Sequence, residues 1–438
     1  MNTLTAFTNR IMQRYLPDPF LFVIILTLVV YVLGLVLTSS SPLDMVVYWG
    51  DGFWSLLAFA MQMVLVLVTG YVLASSPFFK NVLKKLASFA KTPGSAIILV
   101  TVVSLAASWI NWGFGLVIGA LFAKELARQV AKVDYRLLIA SAYSGFIVWH
   151  GGLAGSIPLT IATPGHFSEE LIGIIPTSAT IFSTFNLVIV VALFVTLPIL
   201  NRLMMNNKEA VHVDKSLLVE DEVSKQAATE EITPATRMEN SVILSMATGL
   251  LGITFILYYI SQNGFSLNLN IVNFIFLFLG ILFHKTPRNF LDSVANAVKN
   301  AGGIIIQFPF YAGIMGMMVA SGLAGLMSEW FVVISTETTF PLFAFISAGI
   351  VNFFVPSGGG QWAVQAPIML EAGSNLGVSA AKTAMAVAWG DAWTNMIQPF
   401  WALPALAIAG LKAKDIMGFC IIVLFVSGFI IGLGLLFF

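Results

Sequence analysis

VNFFVPSGGGQWAVQ, residues 351–365, sits inside one of the most apolar parts of a very apolar chain. Pro356, Ser357 and then Gly358, Gly359 and Gly360 make a poor helix former. A bilayer has no water for the backbone groups that such a break sets free. A break here must therefore be buried in protein or line a water-filled cavity.

The rest of the chain sets the context for that break. It has 438 residues, 58% hydrophobic and 10% charged, where a soluble domain carries roughly 25% charged residues. Phe20–Thr38, Val242–Ser261 and Met417–Phe438 approach the ~20 residues that cross a bilayer, so this is an all-α polytopic membrane protein. Hydrophobic spans recur along the sequence, and no cleavable signal peptide accounts for them. Cys420 is the single cysteine, which excludes an intrachain disulfide and multi-cysteine metal sites. Net charge is zero, and no basic, aromatic-interleaved patch points to nucleic acid.

Lys and Arg alternate between loops. Arg10 and Arg14 precede the first span, and Ser39–Gly52 has none. Lys80, Lys84, Lys85 and Lys91 follow Phe53–Ser75, and Arg128, Lys132 and Arg136 follow Gly94–Ala127. Pro164–Glu170, Gln262–Asn268 and Ser328–Thr339 are empty of both. By the positive-inside rule, the N-terminus is expected in the cytoplasm and the C-terminus outside. Lys382 is the single basic residue of 21 that this topology puts outside. The alternation holds if Gly94–Ala127 and Phe340–Ser374 are re-entrant hairpins. Each has two arms of about 14–17 residues, short of a full span.

The chain repeats weakly at an offset of about 245 residues. Gln62 corresponds to Gln307, Ile157-Pro158 to Leu403-Pro404, and the break at Asn111 to that at Asn352. The expected architecture is two inverted-topology repeats, with about nine full spans plus two re-entrant hairpins. The first repeat is 1–200, with spans 20–38 and 53–75, hairpin 94–127, interrupted span 136–163 and span 171–200. A charged cytoplasmic linker, 201–239, and a connecting span, 240–265, follow. The second repeat is 266–438, with hairpin 340–374 and interrupted span 381–410. Inverted repeats with matched breaks point to a secondary transporter whose site lies at the midplane.

The breaks supply the candidate site. Free N–H groups at a helix end attract a carboxylate, which nominates Asn111, Gly113, Asn352, Ser357, Gly358, Gly359 and Gly360, with Trp362 and Trp393 as apolar lining. Carbonyl and carboxamide oxygens and a buried carboxylate suit a coupling cation. Asn111, Asn352, Asp391, Thr394 and Asn395 are the candidates, for Na+ or H+, and no other cofactor or metal is expected. Asp391 stands out because a charge at that depth costs about 2.5–3.5 kcal/mol on insertion scales. His150 is as well explained by packing in a kink as by ligation. Gln62 and Gln307 fit the knitting of helices better than contact with substrate.

WGDGFWSLLAFAMQM (49–63), INWGFGLVIGALFA (110–123), VNFFVPSGGGQWAVQAP (351–367) and QPFWALPALAIAG (398–410) resemble the bacterial short-chain fatty acid transporter family. That family includes acetoacetate/butyrate permeases and belongs to a wider ion-transporter superfamily. The resemblance covers nearly the whole chain, less so the linker. It implies uptake of short monocarboxylates across the cytoplasmic (inner) membrane, and a scaffold-plus-transport-domain homodimer moving as an elevator. In the sodium–dicarboxylate relatives Ser-Asn-Thr tips bind sodium and substrate. Here the Asn matches at Asn111 and Asn352, while the flanking Ser and Thr do not.

Three rival readings remain on sequence. A membrane enzyme needs two carboxylates in contact, yet Asp51 and Asp391 fall at different depths in the expected topology. A passive carboxylate channel predicts flux without accumulation, and a dicarboxylate symporter is the nearest carrier alternative.

Overall fold

The computed structural model describes residues 19–130, 132–206, 210–213, 233–299, 301–352, 355 and 357–438. Pro356, Arg10, Arg14 and the linker residues 207–209 and 214–232 lie outside the described residues. Among the described residues every regular element is a helix, and seven helices are long and apolar enough to cross a membrane. The expected all-helical, multi-span class is what the structure has.

The first half runs α1 (Pro19–Leu37), α2 (Pro42–Gly52), α3 (Leu57–Ala74), α4 (Pro77–Ala87), α5 (Pro93–Ile110) and α6 (Trp112–Gln129). It continues with α7 (Tyr135–Ser144), a 3-10 segment (Gly145–Gly151), α8 (Ser156–Ile161), short α9 (Glu169–Ile172) and α10 (Thr184–Leu203). After α11 (Pro234–Glu239) and α12 (Val242–Asn263) a similar run of helices follows, without a counterpart of α9. α13 (Leu269–His284), α14 (Pro287–Val298), α15 (Gly302–Ala320) and α16 (Leu323–Ile334) lead to α17 (Phe340–Val351) and α18 (Gly358–Asn375). α19 (Ala380–Thr394), a 3-10 turn (Asn395–Ile397), α20 (Pro399–Ala409) and α21 (Ala413–Phe437) close the chain.

Local chemistry sets many of these starts. Ser41-Pro42, Thr92-Pro93, Thr233-Pro234 and Thr286-Pro287 each put a hydroxyl cap before a proline at the first helical position. The hydroxyl accepts an otherwise orphaned N–H, and proline has none to lose. Where the apolar stretches that follow Ile157-Pro158 and Leu403-Pro404 end, Gly165 and Gly410 both take a left-handed backbone, which suits a residue without Cβ.

Short helices separate the spans, which the apolar background of the sequence hides. α4 exposes Lys80, Lys84 and Lys85 but buries Leu83 and Ala87, and α14 buries only Ser293 and Ala297. Such one-striped helices lie against the bundle rather than cross it. The expected span 53–75 begins only at Leu57, because Phe53–Leu56 turn between α2 and α3. The expected span 171–200 is helical across the bilayer only from Thr184, and it runs on through Leu203. Asn201 therefore sits inside the bundle, donating to Thr101 Oγ1 at 3.0 Å and Ser144 Oγ at 2.8 Å.

α5 and α6 pack antiparallel about Asn111. The glycine faces of α6 meet the serines of α5 in mirror order, Gly115 on Ser108 and Gly119 on Ser104. Each arm has 18 residues, about 27 Å of helix and longer than expected. In both halves the first arm also lies parallel to the interrupted helix. Gly145 packs on Ser104 and Gly152 on Trp109, while Gly390 packs on Phe345 and Gly349 on Thr394.

Candidate functional site

The N-terminus of α18 is built by Ser357. Its hydroxyl accepts the Gly360 N–H at 3.4 Å and its carbonyl accepts the Gln361 N–H at 2.7 Å. No hydrogen bond among the described residues uses the N–H of Gly358 or Gly359. Three glycines are needed because side chains crowd them. Any Cβ would meet His150 and Trp149 at Gly358, Phe59 and Phe308 at Gly359, and Tyr311 at Gly360.

His150, in the 3-10 segment of the first half, is the side chain pressed against that tip. It is fully buried, and its Nδ1 lies 2.8 Å from the Ala388 carbonyl and 3.2 Å from Asp391 Oδ2. A carbonyl only accepts, so Nδ1 carries a proton. The imidazole stacks on Trp149 with ring centroids 3.6 Å apart. Its Nε2 has no partner, and this edge faces Gly358. Asp391 is also fully buried, and neither carboxylate oxygen has a well-aligned hydrogen bond.

Polar side chains hold these breaks together. Asn352 Nδ2 donates to the Asp391 carbonyl at 3.0 Å and to Thr394 Oγ1 at 2.9 Å, and the Thr394 hydroxyl donates to the Gly349 carbonyl. Gln398 Nε2 donates to the Asn352 carbonyl at 2.8 Å. Across the halves, Trp149 donates to Asn395 Oδ1 and Trp389 donates to Asn186 Oδ1, each at 3.0 Å. Asn186 in turn donates to the carbonyls of Gly151 and Ile181.

Asn111 does at the first tip what Ser357 does at the second. Its Oδ1 accepts the Phe114 N–H at 2.9 Å, while Nδ2 is buried without a partner. The two expected tip asparagines are thus not structural equivalents. Asn352 ends α17, and the cap of α18 falls five residues later because the second tip is longer. Gly113 packs on Leu67 of α3, and Trp112 joins the first tip to the centre by a ring contact with Trp149 at 5.9 Å.

The expected residues thus divide. His150, Asn352, Ser357–Gly360, Asp391, Thr394 and Asn395 converge. Trp362 is fully buried on α18, with its indole nitrogen unpartnered. Trp393 turns away, donating to the Leu424 carbonyl at 2.7 Å and stacking on Phe345. Gln62 binds Asn270 Oδ1 of α13 at 2.8 Å, and Gln307 accepts from Tyr311 at 3.2 Å within α15. Asn186, Trp149 and Gln398 are the centre's unexpected members. Asn186 carried a signal, as a carboxamide in the middle of an apolar run.

Gln62 also lines a cleft of about 190 Å³ with Phe59, Thr160, Thr163, His166 and Leu269 among others. Phe59 belongs to both places, since its ring borders the cleft and covers Gly359. The cleft thus approaches the α18 tip from the loop 164–167.

The description "short chain fatty acid transporter" fits a family model over residues 1–438. The chain belongs to that family. A protein of Escherichia coli (strain K12) named "Putative short-chain fatty acid transporter" is 48% identical over 99% of this chain and 98% of its own length. One of the same name from Haemophilus influenzae (strain ATCC 51907 / DSM 11121 / KW20 / Rd) is 45% identical over 99% of both. Among solved structures the Alcanivorax borkumensis YdaH transporter, described as having an unusual topology, superposes with a TM-score of 0.58. At 15% identity, over 95% of this chain and 98% of that one, the likeness concerns the fold alone. This member of the short-chain fatty acid transporter family is a multi-pass membrane transporter, not an enzyme. Among the described residues, no group of three or more His, Cys, Asp or Glu is placed to hold a metal ion.

Proposed function

We propose that the chain imports short monocarboxylates, such as acetoacetate and butyrate, across the cytoplasmic membrane by symport with a cation, Na+ or H+. The observation that carries the reading is the α18 tip. Unshared N–H groups at Gly358 and Gly359 end an 18-residue helix buried amid Trp149, His150 and Phe59. That end bears partial positive charge and suits one carboxylate, while the aromatic wall suits a two- to four-carbon tail. The tip residues include no Arg or Lys, which favours a small monoanion over a dianion.

In this reading the matched element order reflects inverted repeats, with the N-terminus cytoplasmic and the C-terminus outside. The two tips are re-entrant, and a homodimer scaffold carries an elevator motion. Uptake of labelled butyrate into proteoliposomes, under a sodium gradient and a proton gradient applied separately, tests it. Accumulation above equilibrium under either gradient supports symport. Saturable equilibration alone makes the protein a uniporter, and succinate accumulation without butyrate moves it to the dicarboxylates.

A further inference from the structure

We infer that His150 Nε2 is the coupling-proton site, and that a proton there is what lets the α18 tip hold a carboxylate. This rests on the proposed symport and names its ion. Nδ1 is committed as a donor by the Ala388 carbonyl at 2.8 Å, so only Nε2 gains or loses a proton. Nε2 is fully buried and unpartnered, and its edge faces Gly358 at the tip.

The two protonation states differ in what the site can do. A neutral imidazole turns a lone pair toward the tip, which repels an arriving carboxylate. A protonated one presents an N–H, and the tip then offers a charge-assisted donor beside the N–H groups of Gly358 and Gly359. Asp391 Oδ2, 3.2 Å from Nδ1, supplies the counter-charge that makes an imidazolium tolerable at this depth. Seating a carboxylate requires His150 and Gly358 to part, since the ring lies in contact with the tip.

Among the described residues no other ionisable side chain hydrogen-bonds the pair. The titratable groups on the elements packed around it are Lys124, Glu125 and Arg128 on α6, and Tyr135, Arg136 and Tyr143 on α7. Arg202 on α10, Glu371 on α18, Lys382 on α19 and Lys414, Asp415 and Cys420 on α21 complete the set. Tyr143 is the neighbour tied to the breaks, donating to the Asn395 carbonyl at 2.5 Å.

The charge balance is simple. One proton moves from outside water to Nε2, one carboxylate binds, and both are released to the cytoplasm. Loaded and empty carriers then carry the same net charge, so transport is electroneutral.

The test uses the full chain in proteoliposomes. A pH gradient should drive butyrate accumulation and an imposed membrane potential should not, with butyrate KM rising as the pH is raised. His150→Gln offers a permanent but uncharged N–H, so the butyrate exchange that remains should be independent of pH and no longer couple to the gradient. Asp391→Asn should move the KM–pH midpoint at least one unit to acid. Gradient-driven accumulation by His150→Gln, or an unmoved midpoint in Asp391→Asn, overturns the assignment. So does loss of exchange in both variants at normal membrane abundance, which would make the pair structural. Accumulation on sodium alone overturns the proton site but leaves symport standing, whereas no transport of any short carboxylate under either gradient defeats the underlying reading.

Discussion

Trp149 in the first half donates its indole N–H to Asn395 Oδ1 in the second, at 3.0 Å, with both groups fully buried. Trp389 returns the gesture to Asn186 at the same distance. The two interrupted helices are therefore tied directly by Trp149 and indirectly by Trp389, through Asn186 of α10 and its bond to the Gly151 carbonyl, and the site between them depends on both halves.

Trp149→Phe keeps the ring but strands Asn395 Oδ1, whose amide nitrogen already lacks a partner. A buried acceptor left bare costs about 1–3 kcal/mol. A lowered unfolding temperature in detergent is expected, partly restored when Asn395→Leu is added. Equal stability of Trp149→Phe and wild type would show that the bond contributes nothing.

Gly358→Ala and Gly302→Ala form a matched pair. Both glycines open a helix, but the added methyl at Gly358 runs into His150 and Trp149 while that at Gly302 meets nothing within 4 Å. Uptake should fall at least tenfold in the first and stay near wild type in the second, at similar membrane abundance. Equal uptake by the two would remove the tip from the transport site.

Asn352→Ala removes donors to the Asp391 carbonyl and Thr394 Oγ1. The break in α19 then loses two of its bonds toward the end of α17 and keeps that from Thr394 to the Gly349 carbonyl, and uptake should fall by at least an order of magnitude with expression intact. Wild-type uptake would mean that the carboxamide serves packing only.

Lys80→Cys and Glu337→Cys probe orientation, with the native Cys420 buried. A membrane-impermeant thiol reagent added to whole cells should label position 337 and not position 80. Labelling at both from one side would refute the topology.

The loop around His166 should respond to acid. Nδ1 accepts the Ser168 N–H at 3.2 Å, so the proton sits on Nε2, facing the Gly173 carbonyl. Burial holds the pKa of this half-buried ring below the usual histidine value of 6.5. The neutral form is thus favoured by the folded loop. Its contribution is constant above that value and is lost as pH falls below it and Nδ1 is forced to protonate. The protection of residues 164–173 against hydrogen exchange, relative to the intrinsic rate at each pH, should fall between pH 7.5 and 5.5, and His166→Gln should flatten the response. Unchanged or greater protection at acid pH would contradict the assigned tautomer.

Much of this was legible in the sequence, because breaking a membrane helix takes residues that stand out. Pro, Gly, Asn and Asp inside apolar runs marked both tips and both interrupted helices. The pairing of His150 with Asp391 was not legible, since nothing local reports a contact across 241 positions. The equivalence of Asn111 and Ser357 was hidden by the longer second tip, which made Asn352 the nearer match in type. α2, α4, α14 and α16 went unnoticed because their stripes merge into a background already 58% hydrophobic.

The segment Tyr135–Ile161 is 94% enclosed by the rest of the chain across its most apolar window. Of its enclosing partners, α18 to α21 are synthesised last. At a synthesis rate of roughly 5–20 residues per second, His150 leaves the ribosome on the order of 10–50 s before Asp391. For that interval the insertion machinery has to shelter a span meant for protein rather than lipid. Biogenesis, as much as transport, is therefore where truncation of the second half will be felt, as a first half handed to membrane proteases.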